Sequence, residues 1–108
     1  MKRKRKIYVA GPMTGQPNLN RGKFRRVAGR LRRGGWKVLS PVEIGEAMGL
    51  TGAAEQDEVL LQRVIDAELR ALRGCDAIYL MRGWERSQGT RREVVVAVSY
   101  GLEIVLEG

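Results

Sequence analysis

The chain has 108 residues, 44% of them hydrophobic, with a net charge of +8, one cysteine and no histidine. That length and composition predict one globular domain over residues 1–108, with residues 1–5 as a basic tail, and exclude a disordered chain. The lone Cys75 cannot close an internal disulfide, and without histidine there is neither a Cys/His metal cluster nor an imidazole base. Acid–base or nucleophilic chemistry therefore falls to carboxylates, Tyr or Lys, and neither a metal nor another cofactor is expected.

No apolar run reaches the length of a membrane span, and "MKRKRKIYVAG" lacks the apolar stretch and cleavage site of a signal peptide. Both features predict a cytoplasmic protein with no membrane partner. The charge is unevenly laid out: residues 1–42 carry thirteen Lys/Arg and no acid, whereas residues 43–108 carry seven Lys/Arg against twelve acids. The run Lys2–Lys6 reads first as a solvated tail and second as a nucleic-acid contact.

In chain order, "KIYVA" (6–10) predicts a strand ended by Gly11-Pro12. Phe24, Val27, Ala28 and Leu31 then recur at helical spacing, with Arg25, Arg26, Arg30, Arg32 and Arg33 on the other face, and Gly34-Gly35 stops that helix. A second strand is predicted over 36–40, a Gly-rich loop with room for one helical turn over 41–54, and a long helix from about 55 to 73. Strand 76–81, loop 82–89, helix 90–100 and strand 103–106 complete the chain. Strict alternation of strand and helix predicts an α/β fold, a small Rossmann-like (flavodoxin-like) three-layer sandwich of four to five parallel strands with helices on both faces.

Ligands of such sheets sit beyond the carboxyl ends of the strands. Three loops qualify: "AGPMTGQPN", "PVEIGEAMG" and "RGWERSQGT". The first offers Gly11, Gly15 and Thr14 to a phosphate, although an ordinary strand-to-helix turn explains the pattern as well. The third holds Trp84, able to stack on a base or to lie down as a hydrophobic lid, and the hydroxyls of Ser87 and Thr90 at a helix start.

Two acids stand out. Glu68 falls within the apolar face of the long helix, where an unpaired carboxylate needs a partner or a solvated pocket; reaching round to an edge arginine is the bland alternative. Asp66 lies nearly opposite, at the surface. Glu93 follows Thr90 by three residues, the spacing of a capping box in which the two residues satisfy each other's backbone donors. The spacing leaves open whether Glu93 is a cap or a reactive group.

The segments "KIYVAGPMTG", "GWKVLSPVEI" and "CDAIYLMRGWERSQGTRREVVVAVSYGLEIV" resemble a family of short bacterial and phage proteins related to the nucleoside 2-deoxyribosyltransferases and the 2′-deoxynucleoside 5′-phosphate N-hydrolases. The resemblance runs from Lys6 to about Leu106. It implies that Glu93, in the first turn of its helix, attacks the anomeric carbon of deoxyribose, that Tyr8 holds that carboxylate, and that Gly11, Pro12, Met13, Thr14 and Gly15 line the sugar or phosphate pocket. Glu68 stands where the related enzymes carry an Asp that contacts base or sugar. Ser87, Gly89 and Thr90 match the 5′-phosphate contacts. The implied reaction is cleavage or exchange of the N-glycosidic bond of a 2′-deoxynucleoside 5′-monophosphate through a glycosyl ester, needing two carboxylates and no metal. A nucleotide-binding module that does not turn its ligand over, and a nucleic-acid-binding protein, are the rival readings. The valine run 94–98 is apolar around more of its helix than one sheet face can cover, which predicts a homo-oligomer, in the first instance a dimer.

Overall fold

The computed structural model describes residues 3–108, so Lys2 of the basic run lies outside the described residues. Four strands, β1 (Lys6–Ala10), β2 (Lys37–Leu39), β3 (Ala77–Leu80) and β4 (Glu103–Leu106), form one parallel sheet in the order β2-β1-β3-β4. Helices α1 (Arg21–Arg33), α2 (Pro41–Ala47), α3 (Glu58–Arg73) and α4 (Gln88–Ser99) make the connections.

Alternation along β1 divides the core in two. Ile7 and Val9 point to the layer of Phe24, Val27 and Ala28 from α1, while Tyr8 and Ala10 point to the layer of Leu72 from α3 and Ala97 from α4. Every residue of β3 is buried, as a central parallel strand requires. The chain leaves β1 toward β2 and returns from β2 to β3, on the other side of β1. Strand order therefore reverses between β1 and β3, which sets the loops after these two strands side by side at the carboxyl end of the sheet.

The uneven charge of the sequence is resolved in space. Cations of the first half pair with acids of the second: Arg21 with Glu55 at 2.5 Å, Lys23 with Glu107 at 2.9 Å, Arg32 with Glu43 at 2.6 and 2.9 Å, and Arg25 with Glu46. Of the arginine face of α1, Arg25 and Arg32 are thus paired with acids of neighbouring elements, whereas Arg26, Arg30 and Arg33 have no acidic partner among the described residues. Arg3 and Arg5 at the start of the chain are paired as well, with Asp76 and Glu103, each at 3.2 Å.

Between β2 and β3 the elements differ from the sequence expectations in two places. The segment expected as a loop over 41–54 contains α2, because Pro41 occupies the first helical turn, where its missing N–H costs nothing, and Val42 is driven into the core. Gly49, at φ +86°, ends that excursion in a conformation few other residues adopt. The long helix begins at Glu58 rather than near 55: Asp57 caps it, its carboxylate accepting from Leu60 N at 3.0 Å, and residues 52–56 form a 3-10 turn.

Candidate active site

The helix that carries Glu93 starts earlier than the capping-box spacing suggested. Ser87 is the N-cap of α4, its Oγ accepting from Thr90 N at 3.2 Å, so Glu93 lies in the second turn and has no role in the cap. Thr90 is likewise not the cap. Its hydroxyl donates to Gly11 O at 3.0 Å, which fastens the start of α4 to the end of β1, and it lies 3.0 Å from Ser87 Oγ. The capping-box spacing pointed to Thr90 as the cap; the buried acceptor at Gly11 engages the Thr90 hydroxyl instead, and Ser87 caps the helix.

Freed from capping, Glu93 turns inward. It is 9% exposed, and the fully buried Tyr8 donates its hydroxyl to Glu93 Oε2 at 2.6 Å. Tyr8 comes from the centre of the sheet and Glu93 from the helix above it, a pairing across 85 residues of sequence. Burial raises the Glu93 carboxyl to about 7, against the opposing pull of the Tyr8 hydrogen bond and the charge of Arg92. Tyr8 is raised well above the usual phenol range, by burial first and then by the charges of Glu93 and Glu68, so it stays a neutral donor.

Glu93 opens onto a cavity of about 790 Å³ between the ends of β1 and β3 and helices α2 and α3. Glu68 lines the same cavity from α3, and its carboxyl is raised to about 8, by burial first and by the Glu93 charge second. No arginine pairs with it among the described residues, so the edge-arginine alternative does not hold. Asp66 is exposed and bonded to Gln62, as expected for a surface charge. Cys75 is buried, and desolvation pushes its thiol up to about 11, which leaves it without thiolate character at neutral pH.

Of the residues singled out in the loops, Gly11, Pro12, Met13, Thr14, Ser87, Gly89 and Thr90 line the cavity. Gly15 does not: it is an exposed turn residue at φ +83° with nothing near it. Trp84 does not either. It packs partly buried against the cluster that contains Tyr8, Leu72 and Leu80, which makes it a lid on the core rather than a stacking platform. Thr90 contributes shape but no free hydrogen-bonding group, because its N–H and hydroxyl are already engaged. The remaining donors at this end are the N–H groups of Gln88 and Gly89, which lack intrahelical acceptors.

Among the lining residues that escaped the sequence reading, two are cations without a partner. Arg86 and Arg92 reach the cavity from either side of Ser87 and Gly89, and neither has an acidic partner among the described residues. A basic residue at each position was visible; its want of a partner was not. The far wall, from Val42, Leu50, Leu61 and Ile65, is apolar. At the rim, Asn18, Leu19 and Asn20 all take left-handed φ, held in part by the Asn20 side chain donating to Pro12 O at 3.0 Å. Strain of this kind persists where surrounding structure fixes a loop.

Gly11 is required by its neighbours. A Cβ there would stand 2.8 Å from Met81 Cβ and 3.0 Å from Met81 Cε, and the first of these cannot swing away. Gly11→Ala is expected to destabilise the fold by about 1–3 kcal/mol through overpacking and to loosen the Thr90 contact that positions α4. Thermal unfolding checks this; a melting temperature equal to that of the wild type would show that β1 and β3 can separate at no cost.

A buried Tyr–Glu pair and a second raised carboxylate face one cavity at the reversal point of a parallel sheet, in an α/β fold. The chain belongs to the family described as Domain of unknown function (DUF4406), which matches residues 5–106. Among solved structures it is similar to the 2-deoxyribosyltransferase of the psychrotolerant bacterium Bacillus psychrosaccharolyticus, at 21% identity and a TM-score of 0.71, over 94% of this chain and 70% of that one. The two share a fold. No curated protein matches the sequence.

Proposed function

We propose that this protein cleaves or exchanges the N-glycosidic bond of a 2′-deoxynucleoside 5′-monophosphate, with Glu93 as the nucleophile. The observation that carries the reading is the buried Tyr8–Glu93 hydrogen bond facing Glu68 across one cavity. Burial raises both carboxyls, and the Glu93 charge raises Glu68 further while the Tyr8 hydrogen bond pulls Glu93 down, the pattern by which one site holds both a proton donor and an ionised partner. The similar fold of a 2-deoxyribosyltransferase, an enzyme described as a biocatalyst for nucleoside synthesis, supports the same class of reaction.

In this reading Tyr8 holds Oε2 of Glu93 while the carboxylate attacks C1′ of the sugar. The C1′–N bond breaks as the bond from Glu93 to C1′ forms, and protonated Glu68 gives its proton to the departing base. Water then attacks C1′ of the ester, returning a proton to Glu68 and freeing Glu93; a second base in place of water gives exchange. The N–H groups of Gln88 and Gly89 and the unpaired Arg86 and Arg92 form the cationic end of the cavity, suited to the 5′-phosphate.

Incubation with a panel of deoxy- and ribonucleoside 5′-monophosphates and free nucleosides, with free base read by chromatography, tests the proposal. Base is expected from the deoxynucleoside monophosphates. Saturable binding with no base from any compound would instead establish the non-catalytic nucleotide-binding reading, which the longer side chain of Glu68, in place of the Asp of related enzymes, favours.

We further propose a homodimer. Val95 and Val98 of α4 are 66% and 63% exposed, and Ile104 and Leu106 of the edge strand β4 are exposed on the same side of the sheet. A second copy of the chain would cover them. Sedimentation at micromolar concentration is expected to give a dimer, and Val95→Asp a monomer; a monomeric wild type would refute the arrangement.

A further inference from the structure

The basic run at the start of the chain plays no part in the chemistry above, and the structure sorts its charges into two groups. Arg3 and Arg5 are neutralised by Asp76 and Glu103. Lys4 and Lys6 have no acidic partner among the described residues. Lys6 is the first residue of β1, and its partner in the parallel register with β2 is Lys37. Register partners project to the same side of a sheet, and like charges set directly opposite destabilise the pairing. On that side α3 brings a third cation, Arg70, also without an acid.

We infer that Lys6, Lys37 and Arg70 form a second anion site, a cleft at the amino end of the sheet that holds a phosphate group. The cleft measures about 240 Å³, is floored by Leu39 and Ala71, and has no acid in its lining. It lies at the opposite end of β1 from the Glu93 cavity, about 13 Å along the strand. Complementing the C-terminal dipole of α3 accounts for Arg70 alone; it leaves the facing lysines unexplained. A phosphate oxygen cluster bound by all three cations removes the repulsion and exchanges their counterions for charge-assisted hydrogen bonds.

The same chemistry is offered by a free phosphate compound and by a nucleic-acid backbone, so three probes are needed: inorganic phosphate, pyrophosphate and a single-stranded oligonucleotide. Calorimetric titration of the full chain at low ionic strength compares a parent protein with two variants of it, of equal net charge. Lys37→Gln with Arg70→Gln empties the cleft; Arg26→Gln with Arg33→Gln removes two cations of α1 that have no acidic partner among the described residues. Affinity is expected to fall at least about tenfold in the first and to stay within about twofold in the second, with a salt dependence shallower by about one per cation removed from the cleft. Loss confined to phosphate and pyrophosphate assigns the site to a small phosphate ligand, and the same loss with a much tighter oligonucleotide assigns it to backbone phosphates. All three proteins carry Arg86→Gln and Arg92→Gln, so that the cationic end of the Glu93 cavity does not contribute; equal losses in both variants, binding undiminished by the Lys37/Arg70 change, or no binding of any probe would overturn the inference.

Discussion

Glu93→Gln is expected to abolish base release, by about a thousandfold or more, while leaving the fold intact. The amide oxygen can still accept the Tyr8 hydroxyl that now lies 2.6 Å from Glu93 Oε2, and Ser87, not Glu93, caps the helix. Removing a carboxylate that burial already penalises relieves the core of a charge. What the amide cannot do is form the glycosyl ester. Melting temperature and base release are therefore expected to separate: the first equal to or above that of the wild type, the second lost. Comparable turnover in the Gln variant would remove Glu93 from the reaction.

Glu68→Gln should change the pH profile as well as the rate. In the proposed mechanism the reaction needs Glu93 ionised and Glu68 protonated, so base release is expected to rise through about pH 7 and fall through about pH 8. Loss of a positioned proton donor costs about 10²- to 10⁴-fold, and the alkaline fall should vanish with it. Stability moves the other way. The folded value of Glu68 is raised from 4.5 to about 8, so its contribution is fully present below 4.5 and is lost as pH rises through about 8. Above that pH the folded state carries the penalty of a buried charge, and Glu68→Gln should raise unfolding free energy there by on the order of 2 kcal/mol. Little gain is expected at pH 4. The carboxyls of Glu43, Asp76 and Glu107 are all lowered by hydrogen bonds, so their stabilisation is lost instead as pH falls. Denaturant melts of both proteins at pH 4 and pH 8.5 measure the difference. A gain of equal size at the two pH values would mean that Glu68 is not a buried acid.

Much of this architecture was legible because its periodicities are strong. "KIYVA" and "AIYL" could be little else than buried strands, and the apolar stripe of α1 matches the buried Phe24, Val27 and Ala28. Glu68 was visible as an acid on an apolar face, and Glu93 as a candidate with two incompatible roles. What the sequence hid is whatever depends on contacts between distant elements. The choice of Ser87 over Thr90 as cap is made by Gly11, 79 residues from Thr90. The helix over 41–47 carries Pro41 and Gly45, which locally argue for a loop, and it forms because Val42 has a core to enter. Trp84 offered two roles, and only the packed cluster beneath it decides between them. Arg86 and Arg92 became notable once the other cation of the cavity, Arg21, was seen to be paired with Glu55.

Rapid acid quench of the wild-type protein during turnover of a deoxynucleoside 5′-monophosphate, followed by peptide mapping in a mass spectrometer, identifies the nucleophile itself. The peptide containing Glu93 should carry one deoxyribosyl phosphate, with fragment ions placing it on that side chain, and the Glu93→Gln protein should carry none. Sugar phosphate attached to another residue, or free base accumulating at an undiminished rate in the Gln variant with no ester on either protein, would contradict the mechanism.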